Sequence, residues 1–186
     1  PALKHVSIVL EPGEKLALVG ENGAGKTSFI KLLLRLYDPD EGEILLDGVN
    51  VRDLAYEAYE TLFSTVFQDY KLFAFSLKEN VAFGAQASDA EVEALLRRVG
   101  FGERLDTLPK GVHTSVTKQF DETGFEPSGG EAQRIVLARA LYKDAPVIVL
   151  DEPAAALDPR AEAELYCHFD ELVKGKTAVY ISHRLS

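Results

Sequence analysis

The pattern of hydrophobic and polar positions divides the chain into short strands and helices in a recognisable order. Val6-Ser7-Ile8-Val9-Leu10 alternates and is rich in β-branched residues, which predicts a strand. Leu16-Ala17-Leu18-Val19 is a short apolar run, a second strand, and Phe29-Ile30-Lys31-Leu32-Leu33-Leu34 reads as a helix ending near Tyr37-Asp38-Pro39. Glu43 to Gly48 predicts a further strand closed by a glycine turn, so this half carries an antiparallel layer. Residues 54–62 look helical and 63–67 strand-like, ending at Gln68. From 76 to 127 the pattern turns helical, at 77–83 and again at 89–99, where Ser88 is placed as N-cap and Gly100 as C-cap. Ser128-Gly129-Gly130-Glu131 then opens a helix over 132–141. Val147-Ile148-Val149-Leu150 and Thr177-Ala178-Val179-Tyr180-Ile181 are the unbroken apolar runs expected of buried parallel strands.

One stretch carries a specific chemistry. Gly20-Glu21-Asn22-Gly23-Ala24-Gly25-Lys26-Thr27 lies between the second strand and the first helix, the context that makes G-x-x-x-x-G-K-[ST] a phosphate-binding loop. Glycines let the backbone wrap so that successive N–H groups point at phosphate oxygens. The start of the next helix adds its positive dipole end. Lys26 is expected to reach the β- and γ-phosphates of a nucleotide, and the Thr27 hydroxyl to ligate Mg²⁺. With Ser28 added at the start of the helix, residues 20–28 are the expected nucleotide cradle.

Charge narrows the partners. Thirty acidic against twenty basic residues give a net charge of −10, which argues against nucleic acid or an anionic membrane surface as a broad partner. A phosphate loop acts at short range and is unaffected. The length of 186 residues suffices for one sizeable core with a small subdomain. Cys167 is the only cysteine, so no internal disulfide forms, and it falls in a helix-like run at 163–169. No apolar stretch approaches the ~18 residues of a membrane span, and no signal-peptide pattern is present. The expectation is a soluble, cytoplasmic chain, which leaves open a place in a membrane machine.

Further candidates sit at the ends of the buried strands. Asp151 closes the run 147–150 at the carboxyl edge where ligands bind in α/β sheets, and suits Mg²⁺ coordination. Glu152, one residue on, is placed to polarise a water for in-line attack on a γ-phosphate. His183 follows the last strand and is a candidate phosphate contact. Ser128-Gly129-Gly130 at a helix start is a second candidate anion site.

Taken in order, the phosphate loop, Gln68 in Val66-Phe67-Gln68-Asp69, Ser128-Gly129-Gly130-Glu131-Ala132-Gln133, Asp151-Glu152, Ala156-Leu157-Asp158 and His183 resemble the ATP-binding cassette (ABC) family of ATPases over nearly the whole chain. The spacing from Thr27 to Ser128 is similar to that of the transporter cassettes, and Phe75-Ser76-Leu77-Lys78-Glu79-Asn80-Val81-Ala82-Phe83-Gly84 looks like the exporter branch. The resemblance implies an α/β P-loop core with a parallel sheet, an antiparallel β layer and a helical subdomain. It implies an ATPase, with ATP and Mg²⁺, that drives a transmembrane partner from the cytoplasmic face of a membrane. Gln68 would contact Mg²⁺ and the attacking water, Glu152 would be the general base, and His183 would hold the γ-phosphate. Ser128, Gly129, Gly130 and Glu131 would meet the ATP of a second cassette in a head-to-tail pair.

The expected organisation is 1–75 for the first part of the ATP-binding core, 76–127 for the helical subdomain and 128–186 for the signature helix and the rest of the core. Departures from the family pattern are Pro127 for the usual Leu, Glu131 for the usual Gln, and Ala154 and Ala155 where a hydroxyl is common. The family's adenine-stacking aromatic lies upstream of Pro1, and a further strand and helix follow His183, so a trimmed cassette with weaker ATP binding is expected. Other readings of the same motifs are a cassette that dimerises or regulates with little hydrolysis, and a soluble cassette serving no transporter.

Overall fold

The computed structural model describes residues 3–21, 23–84, 86–151 and 169–182. Strand β1 (Lys15–Val19) leads through the glycine loop into helix α1 (Lys26–Leu33). Strands β2 (Leu45–Leu46) and β3 (Val49–Asn50) form an antiparallel hairpin turned by Asp47-Gly48, followed by α2 (Tyr56–Glu60) and β4 (Phe63–Val66). Helices α3 (Leu77–Ala82), α4 (Asp89–Arg98), α5 (Gly102–Thr107) and α6 (Gly129–Tyr142) come next, then β5 (Val147–Asp151) and β6 (Thr177–Ser182).

The described residues fall into two compact units, one drawn from the stretches up to 65, 145–151 and 175–182, the other from 66–144 and 169–174. In the first, the main sheet has the order β1-β6-β5-β4. Strands β1, β6 and β5 run parallel, with Val19 opposite Ser182 and Asp151 opposite Ile181. Ile148, Val149, Leu150, Ala178, Val179 and Ile181 are buried, as their unbroken apolar runs require. In the second unit α6 packs against α3 and α4, burying Ile135, Val136, Leu137 and Ala138 together with Leu77, Val81, Val92 and Leu96.

The sequence pattern misleads in two places. Residues 6–10 form no strand: Val6, Ile8 and Val9 are 54%, 50% and 78% exposed. Alternation alone makes no strand where no neighbour supplies the ladder. Helix α1 stops at Leu33, short of the expected end near Tyr37. Arg35 takes a left-handed φ of 54°, with Leu36 N–H donating to Lys31 O at 2.8 Å and Arg35 N–H to Leu32 O at 3.0 Å. This is the backbone pattern that ends helices at glycine, here built on an arginine. The Arg35 guanidinium reaches Leu54 O (2.7 Å) and Arg52 O (3.1 Å), bonds that offset the unfavourable φ.

Candidate functional site

The parallel strands bring the phosphate loop and the acidic strand end to one edge. Register sets Val19, the last residue before the loop, level with Ser182 on β6, and Asp151 on β5 level with Ile181, one position before it. Gly23 and Gly25 hold φ of 83° and 89°, values a side chain disfavours, so the loop's tight path depends on them. The Lys26 ammonium lies over the loop, donating to Gly20 O at 2.6 Å and Glu21 O at 2.8 Å. Thr27 is exposed, next to this cation, on the first turn of α1.

The start of α1 differs from those of α3, α4 and α6. Gly25 offers no capping side chain, and no acidic residue stands in the first turn. The first N–H groups of a helix have no partner within it, so here they and the dipole face an incoming anion. By contrast Ser76 with Glu79 and Ser128 with Glu131 form capping boxes, and Ser88 caps α4 by accepting from Glu91 N–H at 3.2 Å. Asp151, 5% exposed, delivers one carboxylate to the same sheet edge. A carboxylate and a hydroxyl, both hard oxygen donors, suit Mg²⁺, which takes few protein ligands and fills its shell with water and phosphate. Asn22, Glu152 and His183 lie outside the described residues; Glu152 is the next residue after Asp151, and His183 the next after Ser182.

The second unit carries the remaining motifs. Gln68 is exposed two residues beyond β4. Ser128 is the N-cap of α6, and Gly129 and Gly130 are its first helical residues. A Cβ on either glycine would meet nothing within 4 Å. Neither the packing nor the backbone demands glycine at these two positions. A bare helix start of this kind leaves room for something from outside to approach the backbone. Glu131 donates its N–H to Ser128 Oγ at 3.3 Å, while its own carboxylate accepts from Ser128 N–H at 2.7 Å.

Asn80 and Arg139, which the sequence pattern did not single out, organise this unit. Asn80 is fully buried, accepts from Phe73 N–H at 2.9 Å, and donates to Phe73 O (2.9 Å), Ser76 O (3.0 Å) and Phe75 O (3.3 Å). Arg139 donates to Asn80 O at 2.7 Å and lies 4.9 Å from the Phe83 ring centre and 5.8 Å from that of Phe73. Burial lowers the Arg139 pKa, and among the described residues no carboxylate pairs with it. Phe73, Phe75 and Phe83 remain 40%, 56% and 60% exposed, Phe73 stacked on Phe75 and edge-on to Phe83. Arg139 stands in the last turn of the mostly apolar α6, where a basic residue reads as a complement to the helix dipole; the aromatic residues on either side of residue 76 were the available signal.

Residues 3–155 match the family model described as ABC transporter. The chain is 40% identical over 184 residues to the ATP-dependent lipid A-core flippase of Paraburkholderia xenovorans (strain LB400), covering 99% of this chain and 30% of the flippase. It is also 40% identical over 191 residues to the subtilin transport ATP-binding protein SpaT of Bacillus subtilis, covering 98% of this chain and 30% of that protein. A solved bacterial Atm1-family ABC exporter with ATP bound superposes with a TM-score of 0.81 at 36% identity, over 93% of this chain and 30% of the exporter. The chain thus spans about a third of the length of these proteins.

Proposed function

The chain belongs to the ABC transporter family, and from that premise we propose that it is the nucleotide-binding domain of an exporter, hydrolysing ATP to drive a membrane partner. The observation that carries the reading is the uncapped start of α1 behind a glycine loop whose lysine lies over the loop's own carbonyls. The N–H groups of residues 20–28 cradle the β- and γ-phosphates, and Lys26 neutralises their charge. Thr27, Asp151 and Gln68 would hold Mg²⁺, and the ion would supply positive charge that offsets the charge of the transferring phosphate. Gln68 orients the attacking water and Glu152 takes its proton as the water oxygen bonds to the γ-phosphorus. The bond from that phosphorus to the β,γ-bridging oxygen breaks, leaving ADP and inorganic phosphate. His183 holds the γ-phosphate through the transfer.

Ser128, Gly129 and Gly130 complete the site of a second cassette, so the pair is head-to-tail with ATP between each phosphate loop and the opposite signature. The room left by Gly129 and Gly130 supports this reading. The exposed Phe73, Phe75 and Phe83, with Tyr70 and Leu72 partly exposed beside them, are the dock for a helix of the membrane domain. Among the described residues no helix is long and apolar enough to cross a membrane. In this reading the domain stands on the cytoplasmic face and works on a transmembrane partner.

Phosphate release from Mg·ATP, measured on this chain, tests the proposal. Release that depends on Lys26 and Glu152 is the expected result. Saturating Mg·ATP with no release above background would overturn it.

A further inference from the structure

We propose that Arg104 and Glu131 form a charge-matched pair that sets the ATP concentration at which two cassettes close; the inference rests on the head-to-tail reading above. Glu131 stands in the first turn of α6, where that reading brings a triphosphate. Its carboxylate accepts the Ser128 N–H at 2.7 Å, so one donor of the helix start is already taken by the chain's own anion. A fixed negative charge at that spot repels a phosphate and partly cancels the attraction of the helix dipole.

Arg104 answers that charge. Its Nε lies 3.1 Å from Glu131 Oε1, and its guanidinium is held over the Phe125 ring at 5.3 Å. Phe125 is 4% exposed and packs on Phe101, so the platform under the guanidinium is part of the core. The Arg104 and Glu131 side chains are 39% and 21% exposed. The pair is therefore anchored from below and open above. An exposed ion pair contributes little to stability. Here its consequence is electrostatic: with Arg104 in place, the bare Gly129–Gly130 face presents a neutralised carboxylate to an approaching phosphate, and without it an isolated one.

Three substitutions separate the charges from the fold. Glu131→Gln keeps both hydrogen bonds of the capping box, since glutamine serves there as well as glutamate, and removes only the charge. Arg104→Gln exposes the carboxylate. The double variant removes both charges. The readout is the concentration of ATPγS, with Mg²⁺, that gives half-maximal dimer by light scattering. Glu131→Gln should lower that midpoint about tenfold and Arg104→Gln should raise it about tenfold, the scale of one nearby charge at a partly screened surface. The double variant should return to near the parent midpoint, because it removes one charge of each sign from the same place. The spread among the variants should shrink in high salt.

Binding of a fluorescent nucleotide to each chain's own phosphate loop, below the dimerisation concentration, checks that the variants are folded. If Arg104→Gln fails that check, the Glu131→Gln midpoint and its salt dependence decide alone. A parent chain that dimerises with ATPγS at the same midpoint as Glu131→Gln overturns the role of the pair and leaves the head-to-tail reading intact. A parent that binds nucleotide and never dimerises overturns both.

Discussion

The Tyr70 hydroxyl lies 3.3 Å from the Gly129 carbonyl, tying the segment that carries Gln68 to the first residue of α6. Tyr70 is partly buried, and burial raises its pKa, so the phenol is a neutral donor at physiological pH. In the proposed cycle Gln68 senses the water and the signature senses the opposite nucleotide, and this hydrogen bond joins the two. Tyr70→Phe removes the donor and keeps the ring. A neutral hydrogen bond of this length contributes on the order of 1 kcal/mol. The expected outcome is a phosphate-release rate lowered about two- to tenfold, with the apparent nucleotide affinity nearly unchanged. Steady-state kinetics resolved into kcat and KM would check it; a change in KM alone would place Tyr70 in binding instead.

Lys26 reaches the carbonyls of Gly20 and Glu21 and is the only cationic side chain in residues 20–27. Lys26→Ala should cost most of the Mg·ATP affinity, at least about tenfold, because a charge-assisted contact to phosphate is lost. The fold should survive, since a half-exposed lysine bonded to loop carbonyls adds little to stability. Titration calorimetry and a melting curve measure both. Equal affinity in the variant would remove the phosphate-loop reading.

Asp121 organises the loop that runs towards the signature helix. Its carboxylate accepts from Thr123 Oγ1 at 2.6 Å and Thr123 N–H at 2.9 Å, and meets Lys110 Nζ at 2.9 Å. The Thr123 hydroxyl, then Lys110, lower its pKa from 3.8 to about 2. A carboxylate depressed by folding stabilises the native state above its unfolded pKa. That contribution should therefore be present above about pH 4 and fade as pH falls towards 2. Following the Asp121 carboxyl by NMR against pH measures the shift directly. Asp121→Asn should lose the pH dependence in that window, and a midpoint near 4 in the parent would show that the loop does not hold the carboxylate.

The legible part of this chain is the part where one local rule decides. Apolar runs specified β1, β5 and β6, and Ser88 marked the start of α4 before any contact was known. What escaped depends on distant partners. Arg35 ends α1 in a conformation that favours glycine, because the carbonyls of Arg52 and Leu54 receive its guanidinium. Asn80 looks like one more polar helix residue, yet its amide holds the 73–76 segment from inside. Arg104 and Arg139 read as ordinary helix charges, and each instead lies over a phenylalanine. Val6 to Leu10 alternates as a strand should, and among the described residues nothing pairs with it.

The general base is the sharpest test of the proposed cycle. Asp151 ends β5 buried at the carboxyl edge, level with Leu18, one residue before the strand end that opens the phosphate loop, and Glu152 is the next residue. If Glu152 takes the proton from the attacking water, Glu152→Gln keeps the side chain's shape and loses the base. Such a loss costs typically ~10²–10⁴-fold in rate. Two ATP molecules held between opposed phosphate loops and signatures favour the dimer by mass action, and hydrolysis releases it. Blocking hydrolysis while keeping binding should therefore trap the pair: Glu152→Gln accumulates as an ATP-bound dimer, and the parent chain dimerises only transiently. Nucleotide in the millimolar range is the condition to use, so that both sites are filled. Light scattering with saturating Mg·ATP reads the dimer, and phosphate release reads the chemistry. A variant that stays monomeric and releases phosphate at the parent rate would mean that Glu152 is not the base, and the head-to-tail mechanism would fail for this chain.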